Sequence, residues 1–118
     1  MATRILGIGV DILDTSRIAR LLAQPVKAQL FARRILSTHE RAQFAAKEAV
    51  FKACYPHTRL LWDQVSVVKP DDGPKPVMLI HGPPVLADRV AGVHLSVSHD
   101  GEYLVAMVVV EEKVGAGR

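Results

Sequence analysis

The sequence lacks the features by which many secreted or membrane-bound domains are recognised. Its single cysteine, Cys54, excludes an internal disulfide framework and is typical of a reducing compartment. No apolar run approaches the roughly 20 residues that a transmembrane helix needs. The apolar stretch that follows Arg4 ends at Asp11, which is too short for a secretory signal peptide. We therefore expect a cytoplasmic protein that does not associate with membranes.

Aromatic residues are also scarce, at 5% of the chain, so the core must be built mainly from Val, Leu, Ile and Ala. Apolar residues make up 49% of the 118 residues, which is sufficient for a packed core. Two domains of half this length would each have a marginal core. The sequence thus predicts a single domain over residues 1–118.

Acidic residues are few in the first half of the chain. Residues 1–59 carry ten Lys/Arg and four Asp/Glu, whereas residues 60–118 carry five and eight, within a net charge of +3. This segregation favours an acidic partner for the first half. A solvated basic face without a partner is the alternative that charge alone leaves open.

Hydrophobic periodicity and turn residues predict helices mainly in the first half of the chain and strands mainly in the second. Residues 14–16 all suit a helix N-cap, and Asp100-Gly101 is typical of a β-hairpin turn. The predicted elements are a strand over 4–13, a helix ending before Pro25, helices over 28–36 and 40–54, strands over 64–69 and 76–80, a short helix over 83–91, and strands over 93–98 and 103–111. This order predicts an α+β fold in which helices pack on a mainly antiparallel sheet.

Asp11 stands inside the apolar first strand, where an unpaired carboxylate would be costly. Asp11 could cap the following helix, pair with a basic residue, or be a ligand of a hard cation such as Mg²⁺. Mg²⁺ commonly takes one or two protein carboxylates together with substrate phosphates. The preceding Gly7 and Gly9 permit close backbone approach. They lack the third glycine of a dinucleotide-binding fingerprint, which excludes that kind of site.

Glu48 and Lys52 lie four residues apart on the predicted helix, within the run Phe44-Ala-Ala-Lys-Glu-Ala-Val-Phe-Lys-Ala53. Such a pair is often a solvated ion pair without further function. The small residues around Glu48 would also allow a phosphate or a metal to approach closely. Spacing on one helix leaves both interpretations open.

Ser98 and His99 lie at the predicted hairpin, in the run His94-Leu-Ser-Val-Ser-His-Asp-Gly101. Hydroxyl and imidazole groups there suit a phosphate or a ribose, although they also suit a turn that satisfies its own polar groups. Ser98 lacks the glycine-flanked elbow of a hydrolase nucleophile. Cys54 has no nearby set of catalytic partners in the sequence, so a packed or idle cysteine is the better interpretation.

In this order, the three motifs resemble those of the 4'-phosphopantetheinyl transferase superfamily. They are the strand Gly7-Ile-Gly-Val-Asp-Ile12, the helix Phe44–Ala53, and the hairpin segment Leu95-Ser-Val-Ser-His99. The resemblance runs from about Arg4 to Glu111. The chain length, and Leu13 where larger members usually carry an acidic residue, are similar to the holo-[acyl-carrier-protein] synthase type.

The resemblance implies an enzyme that moves 4'-phosphopantetheine from coenzyme A to a serine of an apo acyl carrier protein, as in fatty acid biosynthesis. It implies Mg²⁺ held by Asp11 and Glu48. Lys52 would contact the pyrophosphate, and Glu48 is the candidate base for the serine proton. Ser98 and His99 would contact the nucleotide half of coenzyme A.

The resemblance also gives the basic first half a purpose, because acyl carrier proteins are acidic. The residues expected to dock the carrier are the basic side chains of the first helices: Arg17, Arg20, Lys27, Arg33 and Arg34. Relatives of this size are homotrimers with active sites between subunits, so the same assembly is implied here.

Three departures from the family pattern stand in the middle of the chain. The connection from Leu36 to Glu48 is short, Gln43 occupies a usually basic position, and Tyr55–Trp62 replaces a glycine-rich loop. The alternatives are a related interaction domain that has lost activity, the same domain excised from a larger synthase, and a small basic nucleic-acid-binding domain. A nucleic-acid-binding domain should have Lys and Arg residues interleaved with aromatic residues. The aromatics of the basic half are spaced like core residues instead, so we expect no nucleic-acid partner.

Overall fold

The fold was analysed in a computed structural model that describes residues 2–21, 38–69, 73 and 75–115. Its elements, in chain order, are β1 (Ala2–Asp14), α1 (Thr15–Leu21), α2 (Thr38–Cys54), a 3₁₀ helix (Trp62–Gln64), β2 (Val65–Val68), β3 (Val77–Ile80), α3 (Pro84–Arg89), β4 (Val90–Asp100) and β5 (Tyr103–Val114). The helix predicted over 28–36 lies outside the described residues.

The main sheet has three antiparallel strands in the order β1-β5-β4, and a smaller sheet pairs β2 with β3. The last strand of the chain is therefore the centre of the main sheet. β5 alternates along its length, with Leu104, Ala106, Val108 and Val110 buried. Helix α2 packs on that face of β5 and on β1, which confirms the predicted α+β fold.

Small residues allow α2 to lie unusually close to the sheet. Its buried face is rich in alanine, including Ala45, Ala49 and Ala53. Opposite this face, a Cβ added at Gly7 or Gly9 would lie only 1.8 Å from a carbonyl oxygen of α2. The close backbone approach predicted for these glycines is therefore confirmed, and its partner is the helix that carries Glu48 and Lys52.

The β4–β5 hairpin turns at Gly101 and Glu102, with Asp100 paired to Tyr103. Gly101 has a φ of 56°, in the left-handed region that glycine adopts readily. The backbone N–H of Thr15 donates to the Glu102 carbonyl over 2.8 Å, which ties this turn to the start of α1.

β1, β4 and β5 are longer than predicted, whereas β2, β3 and α3 are shorter. The prediction that the helix reaches residue 91 was wrong, because Val90 already pairs with Glu112 as the first residue of β4. No helix in the described part of the chain is long and apolar enough to cross a membrane.

The second face of the main sheet is apolar and exposed. In the register of the sheet this face carries the odd-numbered residues of β5, which include Met107, with Ile8, Val10 and Ile12 on β1 and Ser98 on β4. The three β1 side chains on it are each more than half exposed. We call this the open face of the sheet.

Candidate active site

Asp11 lies within β1, three residues before its end, and not at the strand terminus. It pairs in the sheet with Ala106, whose side chain is fully buried against α2. Direct cross-strand neighbours share a face, so the Asp11 carboxylate lies on the helix side of the sheet. Its side chain is only 15% exposed.

Lys52, in the last turn of α2, contacts Asp11 directly. Its Nζ lies 3.1 Å from Asp11 Oδ1 and also donates to the Val10 carbonyl over 3.0 Å. Two acceptors on β1 therefore fix the position of the ammonium group. The ion pair of Lys52 is with Asp11, so the interpretation of Glu48 and Lys52 as an isolated solvated pair does not describe this site.

Glu48 lies one helical turn before Lys52 and is half-buried. Burial, followed by the negative charge of Asp11, raises the pKa of the Glu48 carboxyl, and the charge of Lys52 partly offsets the shift. The influence of Asp11 places the two carboxylates in one electrostatic site. A glutamate whose pKa is raised, beside an aspartate and a lysine, is typical of a functional site.

The cap of α1 is formed by Asp14, which leaves Asp11 available. The Ser16 backbone N–H donates to Asp14 Oδ1 over 3.0 Å, and the Ser16 hydroxyl donates to the same oxygen over 2.6 Å. The hydroxyl contact is the main reason that the pKa of Asp14 is lowered. The alternative in which Asp11 caps this helix is therefore wrong.

Lys47, although adjacent to Glu48, serves the structure around Trp62. Its Nζ donates to the Trp62 carbonyl over 3.2 Å and lies 4.7 Å from the centre of the indole ring. The Trp62 ring packs in turn against Phe44 and Phe51, at centroid distances of 5.5 and 5.9 Å. Of the two lysines on this part of α2, only Lys52 contacts Asp11.

An open cavity of about 320 Å³ lies beside Glu48 and Lys52. Its other lining residues are Phe51, Tyr55, Thr58, Arg59 and Leu60. The residues of the 55–60 loop were not predicted from the sequence to belong to the site. The available signal was Pro56, which ends α2 and lets the following residues fold back beside Lys52.

The Asp11–Glu48 pair is chemically suited to one Mg²⁺. The described residues contain no group of three or more His, Cys, Asp or Glu side chains arranged to hold a metal. Mg²⁺ needs fewer protein ligands than that, because one or two carboxylates suffice when substrate phosphates and waters complete the octahedron. The donor set is oxygen only, as a hard cation prefers.

Ser98 and His99 lie on the far strand of the sheet and on opposite faces. Ser98 aligns through Val105 with Ile12 on the open face, whereas His99 aligns through Leu104 with Leu13 on the helix side. β5 lies between them and β1, so two strand spacings, about 10 Å, separate the backbones. Within one chain, the structure does not bring these two residues to Asp11.

The basic residues predicted to dock a carrier are described only in part. Arg17 and Arg20 are both exposed on α1. Lys27, Arg33 and Arg34 lie outside the described residues.

Comparison with known proteins identifies the class to which this fold and site belong. Residues 7–108 match the family model described as the 4'-phosphopantetheinyl transferase superfamily, so the chain belongs to that superfamily. The resemblance found in the three sequence motifs is thereby confirmed.

Its relatives within the superfamily are holo-[acyl-carrier-protein] synthases. The synthase of Frankia alni is 39% identical over 116 residues, which cover 91% of this chain and 98% of the relative. That of Anaeromyxobacter dehalogenans is 35% identical over 125 residues, covering 91% and 96%. A solved holo-(acyl-carrier-protein) synthase from Bacillus anthracis, in complex with CoA (3',5'-ADP), is 32% identical with a TM-score of 0.60 and covers 95% of this chain and 100% of its own.

Proposed function

We propose that this chain transfers the 4'-phosphopantetheine group of coenzyme A to a serine of an apo acyl carrier protein. The observation that carries the proposal is the convergence of Asp11, Glu48 and Lys52 beside a cavity, in a member of this superfamily. The products are holo carrier protein and adenosine 3',5'-bisphosphate. The single free thiol, Cys54, is buried and fits a cytoplasmic setting.

The reaction is a phosphoryl transfer. The serine oxygen attacks the phosphorus that bears pantetheine, and the bond from that phosphorus to the bridging oxygen of the pyrophosphate breaks. The serine proton passes to a base, and the bond electrons leave with adenosine 3',5'-bisphosphate. Positioning and charge neutralisation supply most of the catalysis in reactions of this kind.

Lys52 supplies fixed positive charge to the pyrophosphate. Its ammonium group is already oriented by Asp11 and by the Val10 carbonyl, so little reorganisation is needed when negative charge grows on the leaving group. Lys52 is half exposed, which leaves part of the group open to a substrate.

Glu48 is the group that accepts the serine proton. Burial raises the pKa of its carboxyl, which makes the ionised form a better proton acceptor than an ordinary glutamate. Its location on the cavity wall allows a serine side chain to reach it from solvent.

Asp11 and Glu48 would hold Mg²⁺ through their oxygens, and the ion would supply positive charge against the pyrophosphate. Asp11 then has two functions, since it also orients Lys52. Chelation of divalent metal with EDTA is expected to abolish transfer, and added Mg²⁺ should restore it.

The residues proposed to bind the carrier are Arg17 and Arg20, which are exposed on α1, together with Lys27, Arg33 and Arg34, which lie outside the described residues. An acidic carrier would be attracted by this group of charges. Exposed ion pairs contribute little individually, so the effect of these residues should be strongest on the association rate and on its salt dependence.

The open face of the sheet supports a homotrimer with sites between subunits. Monomeric proteins rarely expose a contiguous apolar patch of this kind. Ser98 lies on this face, so assembly through it would bring Ser98 towards a neighbouring chain. The nucleotide contact proposed for Ser98 is then made across the interface, whereas His99 lies on the helix side of the sheet.

The experiment that tests the function is intact-mass analysis of an apo acyl carrier protein incubated with the chain, coenzyme A and Mg²⁺. We expect the carrier to gain the mass of one phosphopantetheine, with equimolar release of adenosine 3',5'-bisphosphate. No gain across several apo carriers, from folded protein, would contradict the proposal and support the inactive interaction domain instead.

A further inference from the structure

The turn between β4 and β5 is held by the first residue of α1. The Thr15 backbone N–H donates to the Glu102 carbonyl over 2.8 Å, and the Thr15 hydroxyl donates to the same oxygen over 2.9 Å. Two donors of one residue therefore converge on one acceptor, 87 positions away in the sequence. A Cβ added at the neighbouring Gly101 would meet nothing within 4 Å, so the turn is joined to α1 by these hydrogen bonds without packing at the glycine.

The Thr15 contact lies where the strand pairing of the main sheet stops. Asp14, the last residue of β1, pairs with Tyr103, the first residue of β5, and Tyr103 also pairs with Asp100 at the end of β4. Thr15 follows directly after this last paired residue of β1. Its contact with Glu102 therefore sets how α1 leaves the sheet.

Helix α1 depends on its attachment for its direction. It has only seven residues, and an isolated helix of this length is unstable in water. Besides Thr15, its start is held by Ser16, whose backbone N–H and hydroxyl both donate to one carboxylate oxygen of Asp14. Arg17 comes immediately after these two anchored residues and is exposed. The position of its backbone relative to the sheet is therefore governed by Thr15 and Ser16.

The hairpin that accepts from Thr15 also carries residues proposed to contact coenzyme A. Ser98 and His99 lie on β4, just before the turn. The carrier contacts proposed for Arg17 and Arg20 lie on α1, at the other end of the tether. Thr15 thus joins the two groups of proposed substrate contacts within one chain.

We propose that Thr15 is a positioning residue for carrier recognition, which holds α1 and its arginines in a fixed orientation to the β4–β5 hairpin through the Glu102 carbonyl. This inference rests on the proposed function, because that function gives the arginines of α1 their partner. The donors of Thr15 are both used within the chain, so its effect is exerted through α1. Without the hydroxyl contact, α1 would have to become ordered in the complex, and ordering on binding lowers affinity.

The test uses two small changes at this one position. Thr15→Val removes the hydroxyl and keeps the backbone N–H and the shape of the side chain, whereas Thr15→Ser keeps the hydroxyl. Carrier binding is measured by titrating the chain into a fluorescently labelled apo acyl carrier protein and following the anisotropy. Transfer kinetics then give kcat and separate KM values for the carrier and for coenzyme A. Circular dichroism establishes that each variant is folded.

Thr15→Val should weaken carrier binding and raise the carrier KM by about 3–10-fold, the range expected for the loss of one neutral hydrogen bond. Its kcat and its KM for coenzyme A should stay within about twofold of the wild-type values. Thr15→Ser should bind the carrier as the wild type does. A purely structural role would not separate carrier binding from the other two quantities in this way.

Ser66→Ala is the matched control, because it removes a hydroxyl that lies 2.6 Å from His81 Nε2 on the smaller sheet. It should bind the carrier as the wild type does. An equal loss of affinity in Ser66→Ala would overturn the inference, and so would a wild type that binds no carrier.

The inference is also overturned if Thr15→Val binds the carrier with wild-type affinity, if its kcat or its KM for coenzyme A changes as much as its carrier KM, or if Thr15→Ser fails to restore binding. A wild type that binds the carrier and loses affinity in Thr15→Val, but transfers nothing, would contradict the proposed function while leaving the positioning role of Thr15 supported.

Discussion

Gly9 illustrates at the scale of one residue how the chain makes room for its site. A side chain at this position would collide with the backbone of Ala49 and Ala53, and neither can move without displacing α2. The glycine is therefore required by packing, and it serves function indirectly by setting the distance between Asp11 and Lys52.

Gly9→Ala is expected to destabilise the fold and to misplace the site. A methyl group 1.8 Å from the Ala49 carbonyl oxygen forces α2 away from β1, and overpacking of this kind typically costs about 1–3 kcal/mol or more. Thermal denaturation should show a melting temperature several degrees below that of the wild type.

Gly92→Ala is the control for Gly9→Ala, since its added methyl group would meet only the His94 side chain at 3.5 Å. It should melt close to the wild-type temperature. Equal melting temperatures for the two variants would contradict the packing role of Gly9.

Cys54 shows the opposite case, a reactive residue type with a purely structural position. It is fully buried, and burial raises the pKa of its thiol to about 11. The thiol therefore stays protonated at neutral pH, which agrees with the expectation of a packed cysteine.

At the scale of elements, the Glu112 side chain links β5 to β1 and to α3. This buried carboxylate on β5 accepts from the guanidinium groups of Arg4 on β1 and Arg89 on α3. The hydrogen bond from Arg4 is the main cause of the lowered pKa of Glu112, and the hydrogen bond from Arg89 lowers it further. A buried carboxylate is tolerated here because both of its oxygens are paired.

Glu112→Gln is expected to lower the melting temperature by several degrees at neutral pH. A lowered carboxyl pKa contributes stability above the ordinary glutamate pKa, and this contribution is lost as pH falls through the lowered value. Melting curves from pH 7 to pH 3 should therefore show the gap between wild type and variant narrowing as the solution becomes acidic.

The adjacent carboxylate provides the control. Glu111 is on the open side of the same strand and accepts from Thr3 and His94 in a partly exposed setting. Glu111→Gln should shift the melting temperature much less, because exposed pairs contribute little. A larger effect from Glu111→Gln than from Glu112→Gln would contradict the assigned role.

Element type was predictable from the sequence, whereas element ends were less so. The α2 helix follows from its many strong helix formers, and the β4–β5 hairpin follows from its apolar strands and from Asp100-Gly101. The end of α3 was misplaced, because Val90 joins the sheet through a partner 22 residues away in the sequence. Local patterns carry no information about such partners.

At the scale of the whole molecule, the open face of the sheet is exposed in the part of the chain that the structure describes. Its apolar side chains on β1 and β5 would be unusual on the surface of a monomer. The proposed homotrimer would bury them, and it would bring Ser98 of one chain towards its neighbour.

Met107→Glu, at the centre of the open face, is expected to dissociate the assembly. A charge buried without a partner is strongly unfavourable. Light scattering after size exclusion should give three times the mass of one chain for the wild type and one chain for the variant. Val85→Glu, at an 81% exposed position on α3, should remain trimeric. A monomeric wild type, or a trimeric Met107→Glu, would contradict the proposed assembly.

Asp11, Glu48 and Lys52 could be predicted from the sequence as site residues. The residues that line the cavity beside them could be predicted only in part. Asp11 stood out because a carboxylate is costly inside an apolar strand, and the helix spacing placed Glu48 beside Lys52. The cavity wall that contains Arg59 depends on how the chain folds back after Pro56, which no periodic pattern encodes.

The most direct test of the central claim, that Asp11 and Lys52 act as one catalytic unit, is the single-turnover rate of transfer for Asp11→Asn, Lys52→Met and the double variant. Circular dichroism confirms that each variant is folded. Each single change should slow transfer by about 100-fold or more. The double variant should be little slower than the slower single variant, because residues that act together are not additive. Losses that multiply, or single variants that transfer at close to the wild-type rate, would contradict the account.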